Sequence, residues 1–317
     1  MNGTPQRSLW KTLLAFAIIY FVWGSTYLAI RIGVREFPPF LMAALRFIIA
    51  GGVLYAWVIA RGERSPASRH WPVIVGLSFL FFVGDYGLVF WAEQRVPSGI
   101  TAVLMAMIPA FIALAEITVL RTQLLTFRLA FALLAGLAGV AVLVNRSFNL
   151  GGEPVNALGA FALVIASLSW AIATVLARKV SFPFSKTMSS GTQMLAGGIC
   201  LALVSAALGE FREFHPLTIS RSAWFALLYL IVAGSIVGFT AYVWLIHHES
   251  PTKVGTYAYV NPVVAVLIGY FFAAEPLGAR TALGTLLVLV SVVLITTAHG
   301  KKPLAAVSTE RAAKAEI

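Results

Sequence analysis

The chain has 317 residues, 60% of them hydrophobic and only 11% charged, with a mean hydropathy of +0.89. Soluble domains carry about 25% charged residues, which excludes an ordinary water-soluble fold. The formal net charge of +11 raises the question of a nucleic-acid partner, and the placement of the charges answers it below.

About 20 helical residues cross a hydrocarbon core of about 30 Å. Ten apolar windows approach or exceed that length: 12–30, 39–60, 71–92, 98–120, 127–144, 157–177, 187–208, 223–246, 254–274 and 281–298. Lipid offers no partner to an unpaired backbone group, so each window predicts a helix. The fold class is therefore an all-α polytopic membrane protein with ten transmembrane helices. The first window follows Arg7 and Lys11, a superficial likeness to a secretory signal. No clear small-residue cleavage site ends it and nine further windows follow, so it is read as a span. The seventh, rich in Ser and Gly over its first half, is the weakest. The fourth and ninth carry prolines, Pro109 and Pro262, the latter next to Asn261. Cys200 is the only cysteine, which excludes an internal disulfide. The histidines at 70, 215, 247, 248 and 299 have no HExxH-like spacing, which argues against a metal site, and no cofactor is expected.

With the N-terminus placed in the cytoplasm, the inner segments hold fifteen Lys/Arg, from Arg7 and Lys11 through Arg61, Arg64 and Lys186 to the tail. The outer loops hold seven: Arg31, Arg35, Arg95, Arg146, Arg212, Arg221 and Arg280. An excess of Lys/Arg on cytoplasmic loops orients membrane proteins. Both termini are expected inside, and the basic balance needs no nucleic acid to explain it.

The two halves can be laid over one another. "AGG" at 50–52 returns at 196–198, "VWGSTYLA" from Val22 answers "SWAIATVLA" from Ser169, "FPPF" at 37–40 answers "FPF" at 182–184, and Pro109 matches Pro262. Each half has an odd number of spans, so the second enters from the opposite side. Inverted repeats of this kind are common in secondary transporters, with substrate held near the midplane between halves. The expected domains are 12–145, 157–298 and a cytoplasmic tail, 299–317.

"WGSTYLAIRIGVREFPPFLMAALRF", "WAEQRVPSGITAVLMAMIP", "LSWAIATVLARKV" and "YAYVNPVVAVLIGYFFAAEPLGA" resemble the EamA family of the drug/metabolite transporter superfamily, over roughly residues 12–298. The resemblance implies ten helices in two inverted EamA repeats, a bacterial inner membrane, and export of amino acids or other metabolites. The first half departs from the pattern: where the second reads "AAEPLG", it reads "LRTQLL" without the acidic residue.

Three charged residues lie well within the windows: Arg46, Asp85 and Glu116. A central charge costs about 2.5–3.5 kcal/mol on insertion scales, and such groups face the bundle interior or a water-filled cavity. Arg46 and Asp85 fall at similar depth and read as a substrate-binding or proton-linked pair; a fixed structural ion pair obeys the same rule. Glu116, near the inner end of its helix, and Glu93, at the outer end of the third, are candidates for coupling or gating, with solvated helix ends as the alternative. Trp23 and Ser25 in the first window and Trp170 in the sixth are candidate cavity residues, and close helix packing is the competing reading. Pro262 frees the carbonyl of Ala258 and bends its helix, so Asn261 is expected to face the cavity and Pro109 to kink the fourth helix in the same way. No GxxxxGK[ST] run is present, so direct ATP use is not expected. The function expected is a secondary transporter of small metabolites with protons as a candidate coupling ion. A membrane enzyme lacks a nucleophile–base pair among these residues, and a scaffold or receptor would pack its centre solid.

Overall fold

The computed structural model describes residues 9–118, 125–144, 155–177, 179–248, 254, 256–275 and 277–298. In chain order the helices are α1 (Leu9–Gly33), α2 (Pro39–Ala60), α3 (Ser68–Glu93), α4 (Ser98–Ala115, continuing to Thr118), α5 (Phe127–Val144), α6 (Ala157–Ala177), α7 (Lys186–Ala207), α8 (Arg221–Tyr242, continuing to His248), α9 (Tyr257–Ala273) and α10 (Ala279–Ala298). Seven of them are long and apolar enough to span a bilayer, and α5, α9 and α10 are shorter apolar helices. Together they are compatible with the ten-span reading. The segment 299–317 assigned to a tail lies outside the described residues.

The outer surface is apolar. Phe21, Trp57, Leu134, Leu203, Phe225 and Phe271 are all exposed, a pattern that water would penalise and lipid accommodates. Inside, Ile30, Met42, Phe47, Phe90, Leu104 and Leu163 belong to one continuous core. The chain forms an integral membrane helical bundle.

The weak seventh window owes its composition to packing. Helix α7 lies along α2, and the two backbones touch where "AGG" recurs. A Cβ at Gly51 would stand 2.5 Å from the Leu195 nitrogen, and one at Gly198 would stand 2.7 Å from the Ile48 nitrogen. Small residues permit such contact, and without a hydrophobic drive between helices in lipid, that contact is what holds them. Helix α5 lies along α10 in the corresponding way, and α4 along α9. Likewise α3 meets α6 as α8 meets α1, and α9 meets α1 as α4 meets α6. These contacts survive exchange of α1–α5 for α6–α10, which is compatible with an inverted repeat.

Three helices widen into π-helical turns: Ile18–Val22 in α1, Phe79–Gly87 in α3 and Leu230–Val237 in α8. Such turns free backbone carbonyls and often mark functional sites. The two prolines act differently from one another. Pro262 lies inside the continuous helix α9. Pro109 does not kink a continuous helix: α4 breaks after Met105 and restarts at Ile108, so Pro109 occupies the first turn of the new piece, where its missing N–H is harmless.

Four glutamates in the segments between spans cap helix starts across the sequence midpoint. Glu210 accepts from Phe40 and Leu41 N–H at 3.3 and 2.8 Å, and Glu275 accepts from Ser98 and Gly99 N–H at 2.8 and 3.0 Å. Glu63 accepts from Ser185 N–H at 2.6 Å, and Glu36 from both the N–H and hydroxyl of Ser220. A carboxylate at a helix N-terminus satisfies orphan donors and meets the positive end of the dipole.

Candidate functional site

The polar groups of the interior form three layers. The middle layer is built on Arg46, which is 3% exposed. Its Nε donates to the Ser235 hydroxyl at 3.0 Å, joining α2 to the π turn of α8. Its guanidinium lies 4.8 Å from the Phe47 ring and 5.1 Å from the Tyr86 ring, a stacking that offsets part of the burial cost of a cation. Tyr86 in turn meets Trp170 edge-on at 5.9 Å, and Trp170 meets Phe81 at 4.8 Å. The structure thus gathers Arg46 and Trp170 around one aromatic cluster.

Asp85 precedes Tyr86 in the same π turn and is 2% exposed. It does not pair with Arg46: the one ion pair among the described residues joins Arg31 and Glu275, and Asp85 Oδ1 has no hydrogen-bond partner. The alternative of a fixed ion pair between Arg46 and Asp85 is therefore not what the geometry shows. Similar depth on two helices was legible in the sequence, but the Arg46 side chain turns toward α8, where Ser235 receives it.

The second layer closes one end. Arg31 Nη1 donates to the backbone carbonyls of Glu93 and Val96 at 2.7 and 2.6 Å, while its Nε lies 3.4 Å from Glu275 Oε1. The same Glu275 oxygen accepts from the Ser98 hydroxyl at 2.8 Å. Glu93 is 1% exposed, and neither of its carboxylate oxygens has a hydrogen-bond partner. The sequence pointed to Glu93 here but counted Arg31 only as a loop charge.

The third layer lies at the opposite end. Trp23 packs against Tyr242 at 5.3 Å and Tyr257 at 5.4 Å, and its Nε1 donates to the Gly234 carbonyl at 3.1 Å. The hydroxyls of Tyr20 and Thr256 are hydrogen-bonded. Asn261, in the amide orientation that satisfies both of its groups, donates to the carbonyls of Ile19 and Tyr20 at 3.3 Å each. Those carbonyls belong to the π turn of α1, so Asn261 serves the backbone of a neighbouring helix instead of facing open space. Ser25 donates to the Val22 carbonyl at 2.8 Å and shares a hydrogen bond of 2.6 Å with the exposed Tyr229. The side chain of Glu116 lies outside the described residues.

Missing from the sequence reading were Ser235 and the clamp made by Arg31. Tyr86 follows Asp85 directly, but nothing in its local sequence marks it as a partner of Arg46, and only the pairing of α2 with α8 gives Ser235 meaning. Two cavities stand out, and neither touches Arg46. One, of about 10 Å³, sits beside Glu275, Pro97 and Thr281. The other is an open apolar groove of about 440 Å³ lined by Phe40, Leu88, Trp91, Leu158, Phe161 and neighbours, and it opens on the outer surface of the bundle, where Leu158 and Phe161 are exposed. Among the described residues no three metal-ligating side chains gather.

Comparison with known proteins fits this architecture. The chain is 38% identical over 294 residues to the uncharacterized inner membrane transporter YedA of Escherichia coli (strain K12), covering 92% of each chain. It is 23% identical over 306 residues to the uncharacterized transporter YvbV of Bacillus subtilis (strain 168), covering 96% of this chain and 98% of that one. It is also 25% identical to Protein PecM of Dickeya dadantii (strain 3937) over 276 residues, 86% and 88% of the two chains. A solved crystal structure at 24% identity superposes with a TM-score of 0.61 over 92% of this chain and 99% of the other, which shows a shared fold. The model of the EamA-like transporter family matches residues 10–145 and 157–297, so the chain is a member of the EamA-like transporter family, a family of membrane transporters.

Proposed function

We propose that the protein is a secondary transporter that exports small metabolites, amino acids foremost and drug-like compounds next, by alternating access between two inverted halves. Residues 12–145 and 157–298 form those halves, set in a bacterial inner membrane with both termini cytoplasmic. The observation that carries this reading is the position of Arg46. It is a buried cation held between α2 and α3 of one half and the π turn of α8 in the other. On either side of it lies a layer of interactions that also crosses between halves: Arg31 with Glu275, and Trp23 with Tyr242 and Tyr257. A central polar site between two closures is what alternating access requires.

In this mechanism one layer opens while the other stays shut. Separation of Glu275 from Arg31, Ser98 and Gly99 would free the start of α4. Separation of Tyr20 from Thr256 and of Trp23 from Tyr257 would free the start of α9 at the other end. Asp85 and Glu93 each bury carboxylate oxygens without hydrogen-bond partners. These are the groups to test as proton carriers, with Glu116 a further candidate.

A non-transporting scaffold or receptor is the second reading, favoured by the off-centre position of both described cavities. Reconstitution into liposomes with a panel of radiolabelled amino acids and drug-like compounds separates the two. Saturable flux of any member supports the transporter, and absence of flux across the whole panel supports the scaffold.

A further inference from the structure

We infer that Arg46 is the receptor for a single oxyanion group, a carboxylate, on the transported solute, so that the substrates are small acids or amino acids and not amines or neutral compounds. This rests on the transport reading above and narrows it. A guanidinium buried about two turns inside a membrane-spanning helix is costly, and such groups normally pair with an opposite charge. Among the described residues no carboxylate lies within ion-pairing distance of Arg46, and the ion pair found there is Arg31 with Glu275. Asp85, the nearest acidic residue in sequence to its ring partner Tyr86, does not neutralise it.

The surroundings of Arg46 hold the fork without saturating it. Ser235 occupies Nε, and the rings of Phe47 and Tyr86 cover guanidinium faces. The remaining edge of the fork carries Nη1 and Nη2. Nη1 is fully enclosed and has no hydrogen-bond partner. Gly234 lies beside Nη2, where a Cβ would come within 3.2 Å. Two parallel N–H groups on one edge of a guanidinium match the two oxygens of a carboxylate. A phosphate would present the same oxygens, but as much as twice the charge. Arg46 is the one basic residue well inside the spans, so the monoanion fits better. The Tyr86 ring against the fork, with Trp170 packed behind it, suits an apolar or aromatic body on the same molecule.

Proteoliposomes carrying the full chain would be tested with matched probes: phenylalanine against phenylalaninamide, leucine against leucinamide, benzoate against benzamide, with phenethylamine and inorganic phosphate alongside. Saturable flux of at least one acid without flux of its amide is expected. In Arg46→Gln the concentration for half-maximal flux of that acid should rise about ten- to hundredfold, the loss of a charge-assisted pair. Arg46→Lys should recover part of this, and Ser235→Ala, which frees Nε and loosens the fork, should raise the half-saturation by a smaller factor than Arg46→Gln does. The acid–amide contrast is read on the unaltered protein and survives a variant that fails to fold. Equal flux of acid and amide, flux of phenethylamine, flux of phosphate in place of the carboxylates, or an unchanged half-saturation in Arg46→Gln would each overturn the assignment while leaving transport standing. No flux of any probe overturns the transport reading and the assignment with it.

Discussion

Substituting Glu210 tests whether a carboxylate from the second half, on the short helical turn Glu210–Glu213, holds the start of α2. The first four N–H groups of a helix lack intrahelical partners. In α2 the first residue is Pro39, which has no N–H, and Met42 already donates to the Pro38 carbonyl at 2.9 Å. That leaves the N–H groups of Phe40 and Leu41, and Glu210, itself 7% exposed, takes both. The 2.8 Å bond to Leu41 is a charge-assisted one, worth about 1.5–3 kcal/mol, and the 3.3 Å bond to Phe40 contributes about half that. Water near the membrane surface recovers part of the loss, so Glu210→Ala should destabilise by about 2–4 kcal/mol. Glu210→Gln retains one acceptor but sets an amide NH₂ against the second N–H, and about 1–2 kcal/mol is expected. Gly209 adopts φ of +80° with nothing within 4 Å of a Cβ placed there. Gly209→Ala should thus cost about 1–2 kcal/mol through backbone strain alone. If that turn positions the cap, the double variant will lose less than the two singles combined. Unfolding in detergent micelles by SDS titration provides the measurement, with Glu213→Ala on the exposed side of the same turn as control. A Glu210→Ala loss no greater than that of the control would refute the capping argument.

Gly51→Leu should destabilise by about 3 kcal/mol or more, because the added Cβ meets backbone atoms of α7 at 2.5 and 2.9 Å that cannot swing aside. The same substitution at Gly52, which has nothing within 4 Å, should be nearly silent in the same unfolding titration. The hydroxyl of Ser220, and then its N–H, hold the Glu36 carboxyl below its ordinary value of 4.5. Because the folded value is the lower one, the cap's contribution is complete above that ordinary value and is lost as pH falls through the folded one. Glu36→Gln should flatten the acid limb of the stability profile in that window, and an unchanged acid limb would show that the cap carries no stability.

The helical membrane fold was legible because lipid leaves the chain few options: long apolar windows must be helices, and even the polar seventh window obeys once Gly51 and Gly198 are seen touching the partner backbone. Arg46, Asp85 and Glu93 stood out for the same reason, as polar groups in apolar surroundings. Their partners did not. The Arg46 bond to Ser235 spans 189 residues, and the Glu275 caps on Ser98 and Gly99 span 177 and 176, so neither leaves a local pattern. The direction of a side chain on its helix was equally hidden. Asn261 was expected to face a cavity, but the π turn in α1 offers it two carbonyls, and no residue type announces a π turn. The "LRTQLL" departure is informative in this light. Its counterpart in the second half supplies Glu275, whereas the residues of "LRTQLL" at 120–124 lie outside the described ones.

The π turns of α3 and α8 explain why polar side chains recur where the two halves meet. A widened turn leaves carbonyls without their usual donors, and in lipid each needs a partner. Leu80 in the π turn of α3 receives the Ser169 hydroxyl at 2.8 Å, and Gly234 in the π turn of α8 receives the Trp23 indole at 3.1 Å. In each case the donor sits on the first helix of the opposite half, at the places where "VWGSTYLA" and "SWAIATVLA" align. Backbone polarity in one half is therefore satisfied only while the other half stands beside it. Any rocking of α3 or α8 that opens a path to Arg46 must exchange these bonds for others, to water or to solute, or swing the donor helix along with its carbonyl. The second course needs no new partner in lipid, so α1 should move with α8, and α6 with α3, each pair made of one helix from either half.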